Sequence, residues 1–193
     1  MKRNDRKNAA GHGPKCKRAH PVAVTRHLRE LEQESDMQNI TPFLWFDGQA
    51  EEAAHFYTSI FPNSKISGAT HYSEVGPGPT GSVMTVSFEL NGEAFVALNG
   101  GPIYKFTPAV SFVVHCETQE EVDTYWDKLS AGGAPNVCGW LQDKYGLSWQ
   151  IVPNALLRMI QDKDRNRANR MVQAMLQMTK LDIAGLQAAY DAE

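Results

Sequence analysis

Cysteine is scarce in this 193-residue chain: there are three, and Cys16, Cys116 and Cys138 show no CxxC spacing. An odd, scattered set excludes a disulfide framework and a cysteine-based zinc site, and a reducing cytosol is expected. Long apolar runs are also missing. None approaches the ~20 residues that a membrane span needs, so no membrane contact is expected. The N-terminus is polar and basic, without the apolar stretch of a signal peptide. No Ser/His/Asp arrangement is recognisable, and no carboxylates are paired for acid–base work. What is present is ordinary for a soluble globular protein, 42% hydrophobic and 21% charged. The chain is long enough to bury a real core, and a cytoplasmic location is expected.

The net charge of −3 conceals an asymmetry. Residues 1–29 hold nine Lys/Arg against a single acid, Asp5, whereas residues 37–193 hold ten Lys/Arg against seventeen Asp/Glu. A basic tail on an acidic body can signal nucleic-acid contact. This tail has no aromatic residue to stack on bases, so a nucleic-acid partner is not expected. His12, Cys16 and His20 are spaced four apart, but no fourth ligand lies near. Residues 1–36 therefore read as a basic, disordered extension.

The informative feature is internal repetition. A shift of 69 residues aligns Ala50-Glu51-Glu52-Ala53 with Gln119-Glu120-Glu121-Val122, and Phe56-Tyr57 with Tyr125-Trp126. Both segments read as amphipathic helices. Thr118 with Glu121 forms a capping box, and Gly132-Gly133 ends the second helix. Pro62 stops the first. A strand precedes each helix, Ile40 to Phe46 and Ala109 to His115. Further strands follow. Ser64 to Tyr72 is one, and Ser82 to Leu90 pairs with Glu93 to Leu98 across Asn91-Gly92, a strong hairpin signal. In the second copy a short strand near Val137 precedes a hairpin of Gly139 to Gln142 with Leu147 to Val152, turning at Asp143-Lys144-Tyr145-Gly146. A shift of 54 matches the last strands, setting Val96 on Gln150. The order is β-α-β-β-β, twice. Beyond Pro153 apolar stripes at helical spacing (Met171, Val172, Met175, Leu176, then Ile183, Leu186, Tyr190) read as packing surface.

A duplicated unit of this kind resembles the vicinal-oxygen-chelate superfamily, which includes glyoxalase, bleomycin-resistance and dioxygenase proteins. Ile40-Thr41-Pro42-Phe43-Leu44-Trp45-Phe46, Leu98-Asn99-Gly100-Gly101-Pro102, Cys138-Gly139-Trp140-Leu141-Gln142-Asp143 and Ser148-Trp149-Gln150-Ile151-Val152-Pro153 are similar to its PhnB-like branch. That branch carries the label 3-demethylubiquinone-9 3-methyltransferase domain. The resemblance implies an α+β fold: two βαβββ modules forming a cup-shaped glyoxalase-like sheet, with a C-terminal helical extension. The expected divisions are the extension at 1–36, a glyoxalase-like domain at 37–153 with modules 39–101 and 109–153, and C-terminal helices at 154–193.

Metal-dependent members of the superfamily place His, Gln or Glu at four positions facing the cup. Carried over, these fall on Thr41, Val96, Val110 and Gln150. Valine cannot ligate and Thr41 is a poor donor, so one suitable residue remains. A metal-free cup is expected, and no cofactor. The methyltransferase label finds no glycine-rich turn after a strand for a methyl donor in residues 37–193. The ligand-binding candidates are Thr41, Phe43, Trp45, Phe112, Ser148 and Gln150. If strand alternation holds, Val110 and Val114 share the cup side with Phe112. His71 is a weak candidate for acid–base work. Three function classes stay open: binding of a small hydrophobic or aromatic molecule, a 3-demethylubiquinone 3-methyltransferase-like enzyme, and a metal-dependent glyoxalase or dioxygenase. Open sheet edges predict a homodimer.

Overall fold

The structure, a computed structural model, describes residues 40–192. The expectations for residues 1–36 lie outside these. Module 1 runs β1 (Phe43–Phe46), α1 (Ala50–Ile60), β2 (Lys65–His71), β3 (Val83–Leu90) and β4 (Glu93–Asn99). Module 2 runs β5 (Ser111–Cys116), α2 (Gln119–Ser130), β6 (Ala134–Pro135), β7 (Trp140–Gln142) and β8 (Ser148–Pro153). The helices α3 (Asn154–Ile160), α4 (Arg165–Met175) and α5 (Ile183–Asp191) complete the described chain. The βαβββ order thus occurs twice, followed by helices, in the α+β class that the repeat predicts.

Each module forms its own four-stranded sheet, in the orders β1-β4-β3-β2 and β5-β8-β7-β6. The first strand of each module lies parallel to its last, and the other pairs are antiparallel. The sheets do not join or close. Asn91 and Gly92 both adopt positive φ, 50° and 89°, the geometry a two-residue hairpin turn requires. The short strand expected near Val137 lies instead at Ala134–Pro135, paired with Leu141 and Gln142.

The two helices start differently. Thr118 accepts from the Glu121 N–H, and the Glu121 carboxylate accepts from the Thr118 N–H, so α2 carries its own capping box. The first residue before α1, Gln49, makes no side-chain cap. Asn99 at the end of β4 supplies that cap from a distance, its Oδ1 accepting from the Ala50 N–H at 2.8 Å. At its far end α1 gives way to extended Phe61, as the following Pro62 demands.

One hydrophobic cluster holds both modules together. From the first sheet it takes Leu44, Phe46, Phe88 and Phe95, and from the second Val114, Leu141, Trp149 and Ile151. Tyr57 of α1 stands at its centre, 5.5 Å from the Trp149 ring. The helix-side faces of the two sheets therefore share a core, and their other faces point away from it. A second cluster joins Val152 of β8 to Leu156, Met159, Met171, Leu181 and Leu186. Part of the methionine stripe is thus packed within the chain: Met171 is fully buried, whereas Leu176 is exposed. Each large apolar side chain so buried contributes roughly 1.5–3 kcal/mol.

The register of β5 differs from the repeat-based expectation by one residue. Val113 pairs with Gln150 and Ser111 with Ser148, while Phe43 pairs with Val96. Phe43 therefore corresponds to Val113, not Phe112. The cause is a single residue. Asp47-Gly48-Gln49 separates Phe46 from Ala50, but only Glu117-Thr118 separates Cys116 from Gln119. Gly48 takes the extra step at φ 83°, a conformation that glycine adopts without steric cost.

Candidate functional site

The corrected register divides the sequence-predicted site residues. In a strand, residues two apart share a face. On the open face of module 2 this places Ser111 and Val113 of β5, Ser148 and Gln150 of β8, and Gln142 and Trp140 of β7 in three adjacent columns. Ser148 stands between Ser111 and Gln142, and Gln150 between Val113 and Trp140. The Gln150 Nε2 donates to the Ser111 Oγ at 2.8 Å, which confirms their common side. Ser148 is 1% exposed, and its buried hydroxyl has no hydrogen-bond partner among the described residues. Beyond Gln150, Val152 on the same face is covered by the C-terminal helices.

Phe112 and Val114 belong to the opposite face. Phe112 lies 5.3 Å from the Phe95 ring and 5.6 Å from the Trp149 ring, inside the shared core. The structure thus separates Phe112 from Gln150. Val110 precedes β5 and is exposed. The place expected for it beside Gln150 is held by Ser111, which the repeat alignment missed.

Module 1 presents a different surface. Phe43 and Trp45 of β1 lie beside Val96 and Leu98 of β4, and Phe43 is 57% exposed. Thr41 precedes β1 and is exposed. Trp45 is seated at the sheet end: its Nε1 donates to the Gly101 carbonyl at 2.8 Å, and Tyr104 meets its ring edge-on at 5.0 Å. A Cβ on Gly100 would lie 2.2 Å from that ring, so the seat requires glycine there. A cavity of about 300 Å³ runs from Trp45 past Tyr104 and Phe106 to Gln142.

A larger cavity, about 510 Å³, opens where β1, β4 and the loop Gly76-Pro77-Gly78-Pro79 meet, with Asp47, Glu51, Tyr72, Pro79, Asn99 and Gly101 among its walls. Asn99 organises it. Besides capping α1, its Nδ2 donates to the Val83 carbonyl at 3.0 Å, and its own carbonyl accepts from the Tyr72 hydroxyl at 2.5 Å. His71 is exposed at the end of β2, and this cavity is walled by its neighbour Tyr72 instead.

Other reactive side chains are tied down. Burial, with Glu121 nearby, pushes the Cys116 thiol up to about 12, so it stays protonated. Asp143 is 3% exposed and accepts four hydrogen bonds: from the Tyr57 hydroxyl, the Trp149 Nε1, and the Tyr145 and Leu147 N–H groups. Burial nevertheless holds its carboxyl above the ordinary carboxylate value. It pins α1 of module 1 to β8 of module 2.

The superfamily's metal-binding positions become Thr41, Val96, Ser111 and Gln150 in the corrected register. Two hydroxyls, an alkyl group and an amide do not match what first-row divalent metals need. Among the described residues no three His, Cys, Asp or Glu side chains converge as a metal set. The described residues also include no helix long and apolar enough to cross a membrane.

Comparison with known proteins agrees with this architecture. Residues 38–152 match the family model for 3-demethylubiquinone-9 3-methyltransferase. A solved structure described as a PhnB protein of 3-demethylubiquinone-9 3-methyltransferase type, from Bacillus cereus, is 44% identical. It covers 60% of this chain and 99% of its own, with a TM-score of 0.56. Protein PA1353 from Pseudomonas aeruginosa, 17% identical, covers 60% of this chain and 97% of its own at a TM-score of 0.51, a likeness of fold alone. No curated protein matches the chain. The match spans more than half of the sequence and both modules, so the chain belongs to the 3-demethylubiquinone-9 3-methyltransferase family, the PhnB-like branch of the vicinal-oxygen-chelate superfamily.

Proposed function

We propose that this protein binds a small hydrophobic or aromatic molecule on its open sheet faces, without a metal. The carrying observation is the donor set at the four cup positions. Thr41, Val96, Ser111 and Gln150 offer shape and neutral hydrogen bonds rather than ligation. Phe43 and Trp45 on one module and Trp140 on the other offer aromatic surface, and Gln150 and Ser148 offer polar contacts.

A single open face leaves a bound molecule half in water, whereas ligand sites bury most of their ligand. Phe43 and Val113 are themselves 57% and 44% exposed. We therefore read the working form as a homodimer in which a second copy covers these faces. The free Cys116 and Cys138 suit a reducing compartment such as the cytosol.

Isothermal calorimetry with flat aromatic compounds tests the reading. Saturable binding without turnover, by protein that carries no stoichiometric zinc, nickel, iron or manganese in elemental analysis, is the expected result. Near-stoichiometric metal in protein prepared without chelator overturns the metal-free part. The competing reading is methyl transfer, which rests on the family's name. No described segment fits S-adenosylmethionine in the usual way, with a glycine-rich turn between strand and helix. Binding of S-adenosylmethionine in the same calorimeter would favour it. Light scattering that gives a monomer at micromolar concentration would refute the dimer.

A further inference from the structure

Ser148 breaks a general rule. Buried polar groups are almost always hydrogen-bonded, and an unmade bond at such a site is costly. Ser148 is 1% exposed, and its hydroxyl has no partner among the described residues. The residue lines a cavity of about 120 Å³, together with Pro108, Pro135, Asn136, Trp140 and Gln142. At roughly 30 Å³ per water, that volume takes a group of about four heavy atoms.

The walls state what kind of group. Among the described residues no Asp, Glu, Lys, Arg or His lines the cavity, so a charged group entering it would lose its hydration without gaining a counter-charge from them. Each unspent polar side chain there can donate. Besides the Ser148 hydroxyl, the Asn136 Nδ2 makes no hydrogen bond within the described residues, while its Oδ1 accepts from the Val137 N–H. The Gln142 side chain, beside Ser148 on the same face, makes no hydrogen bond within the described residues. Asn99, in the larger cavity, is in contrast fully occupied on both side-chain atoms.

We infer that the Ser148 cavity is a subsite for a neutral carbonyl-bearing group, an amide or a ketone, of the ligand held on the module 2 face. The inference rests on the binding reading above and narrows its ligand class. The aromatic part of the ligand lies against Trp140 and Gln150. Its carbonyl enters beside Ser148, which donates to it.

The test uses the full chain and three probes sharing one ring system: 2-naphthamide, 2-naphthoate and 2-methylnaphthalene. Calorimetry is expected to show 2-naphthamide binding about fivefold to tenfold more tightly than 2-methylnaphthalene, the value of one or two neutral hydrogen bonds, with 2-naphthoate weakest. Ser148→Ala should erase that margin and leave 2-methylnaphthalene unchanged. Gln142→Ala, on an incompletely buried residue, should reduce the margin without threatening the fold. Equal binding of all three probes, or preference for 2-naphthoate, overturns the subsite and leaves the aromatic face standing. A margin untouched by Ser148→Ala, with the variant's circular dichroism unchanged, also overturns it. Failure of every probe to bind overturns the subsite and the face together.

Discussion

The two modules are copies in order but differ in surface. On the open face of module 1, β1 and β4 place the apolar Phe43, Trp45, Val96 and Leu98 beside the polar Thr85, Ser87 and Glu89 of β3. On that of module 2, β5 and β8 place Ser111, the exposed Val113, the buried Ser148 and Gln150, a more polar pair of strands, beside Gln142 and Trp140 of β7. Their inner faces have not diverged in this way, because they share one core. Close packing constrains the inner residues of both copies alike. The outer faces are free of that demand, so chemical difference there points to use rather than to folding.

The modules also differ in how each depends on the other, and Asp143 gives the largest handle on this. The module 2 turn sends a buried carboxylate to Tyr57 of module 1, and the Asn91-Gly92 turn of module 1 has no such group. Asp143→Ala leaves the Tyr57 hydroxyl, the Trp149 indole N–H and two backbone N–H groups unpaired. Urea unfolding should show a loss of about 3 kcal/mol or more. If the loss is below ~1 kcal/mol, the modules are held by apolar contacts and by the pairing of Lys144 and Tyr145 with Glu52, and not by Asp143. The pH dependence carries a definite sign. Burial raises the Asp143 pKa in the folded state, so the folded protein holds this proton more tightly than the unfolded chain. The resulting stabilisation is complete below the ordinary carboxylate value and is lost as pH rises through the raised one. The stability gap between wild type and Asp143→Ala should therefore be widest in acid and narrow toward neutrality. Thermal melts across that range measure it.

Much of this architecture was legible in the sequence. The hairpin at Asn91-Gly92 and the Thr118–Glu121 box follow from local pattern, the repeated strand order from the internal repeat, and the Gln150 position from the family resemblance. The face of β5 does not, because the extra residue at Gly48 breaks the gapless repeat between helix and strand. The correcting signal lies within Ser111-Phe112-Val113-Val114-His115-Cys116, where Ser111, Val113 and His115 fall on one side of a period of two, and the more apolar Phe112, Val114 and Cys116 on the other. Strand alternation assigns Phe112 to the core, and it outranks an alignment that can slip by one residue. The contacts of Asn99 and Asp143 were not legible, since both join segments far apart in the chain and no local pattern encodes them.

Asn99 gives the next effect in size. Its side chain replaces the missing cap of α1 and ties β4 to β3. Asn99→Ala should cost about 2 kcal/mol, the sum of a lost cap and a second bond. Hydrogen exchange should show the first turn of α1 opening while α2 keeps its protection. Equal loosening of both helices would mean that Asn99 supports the whole core rather than one helix end.

The smallest expected effect sharpens the contrast most, because it compares equivalent positions. Thr118 and Gln49 each precede the helix of their module, but only Thr118 caps it with its side chain. Thr118→Ala should cost about 1 kcal/mol. Gln49→Ala should change stability by no more than about 0.5 kcal/mol, as for a surface residue without a special role. Placing Asn99→Ala on the Gln49→Ala background should then cost what it costs alone, since the two residues do not share the capping bond. A large effect of Gln49→Ala would show that α1 carries its own cap after all, and the asymmetry between a self-capped helix and one capped by its neighbouring strand would disappear.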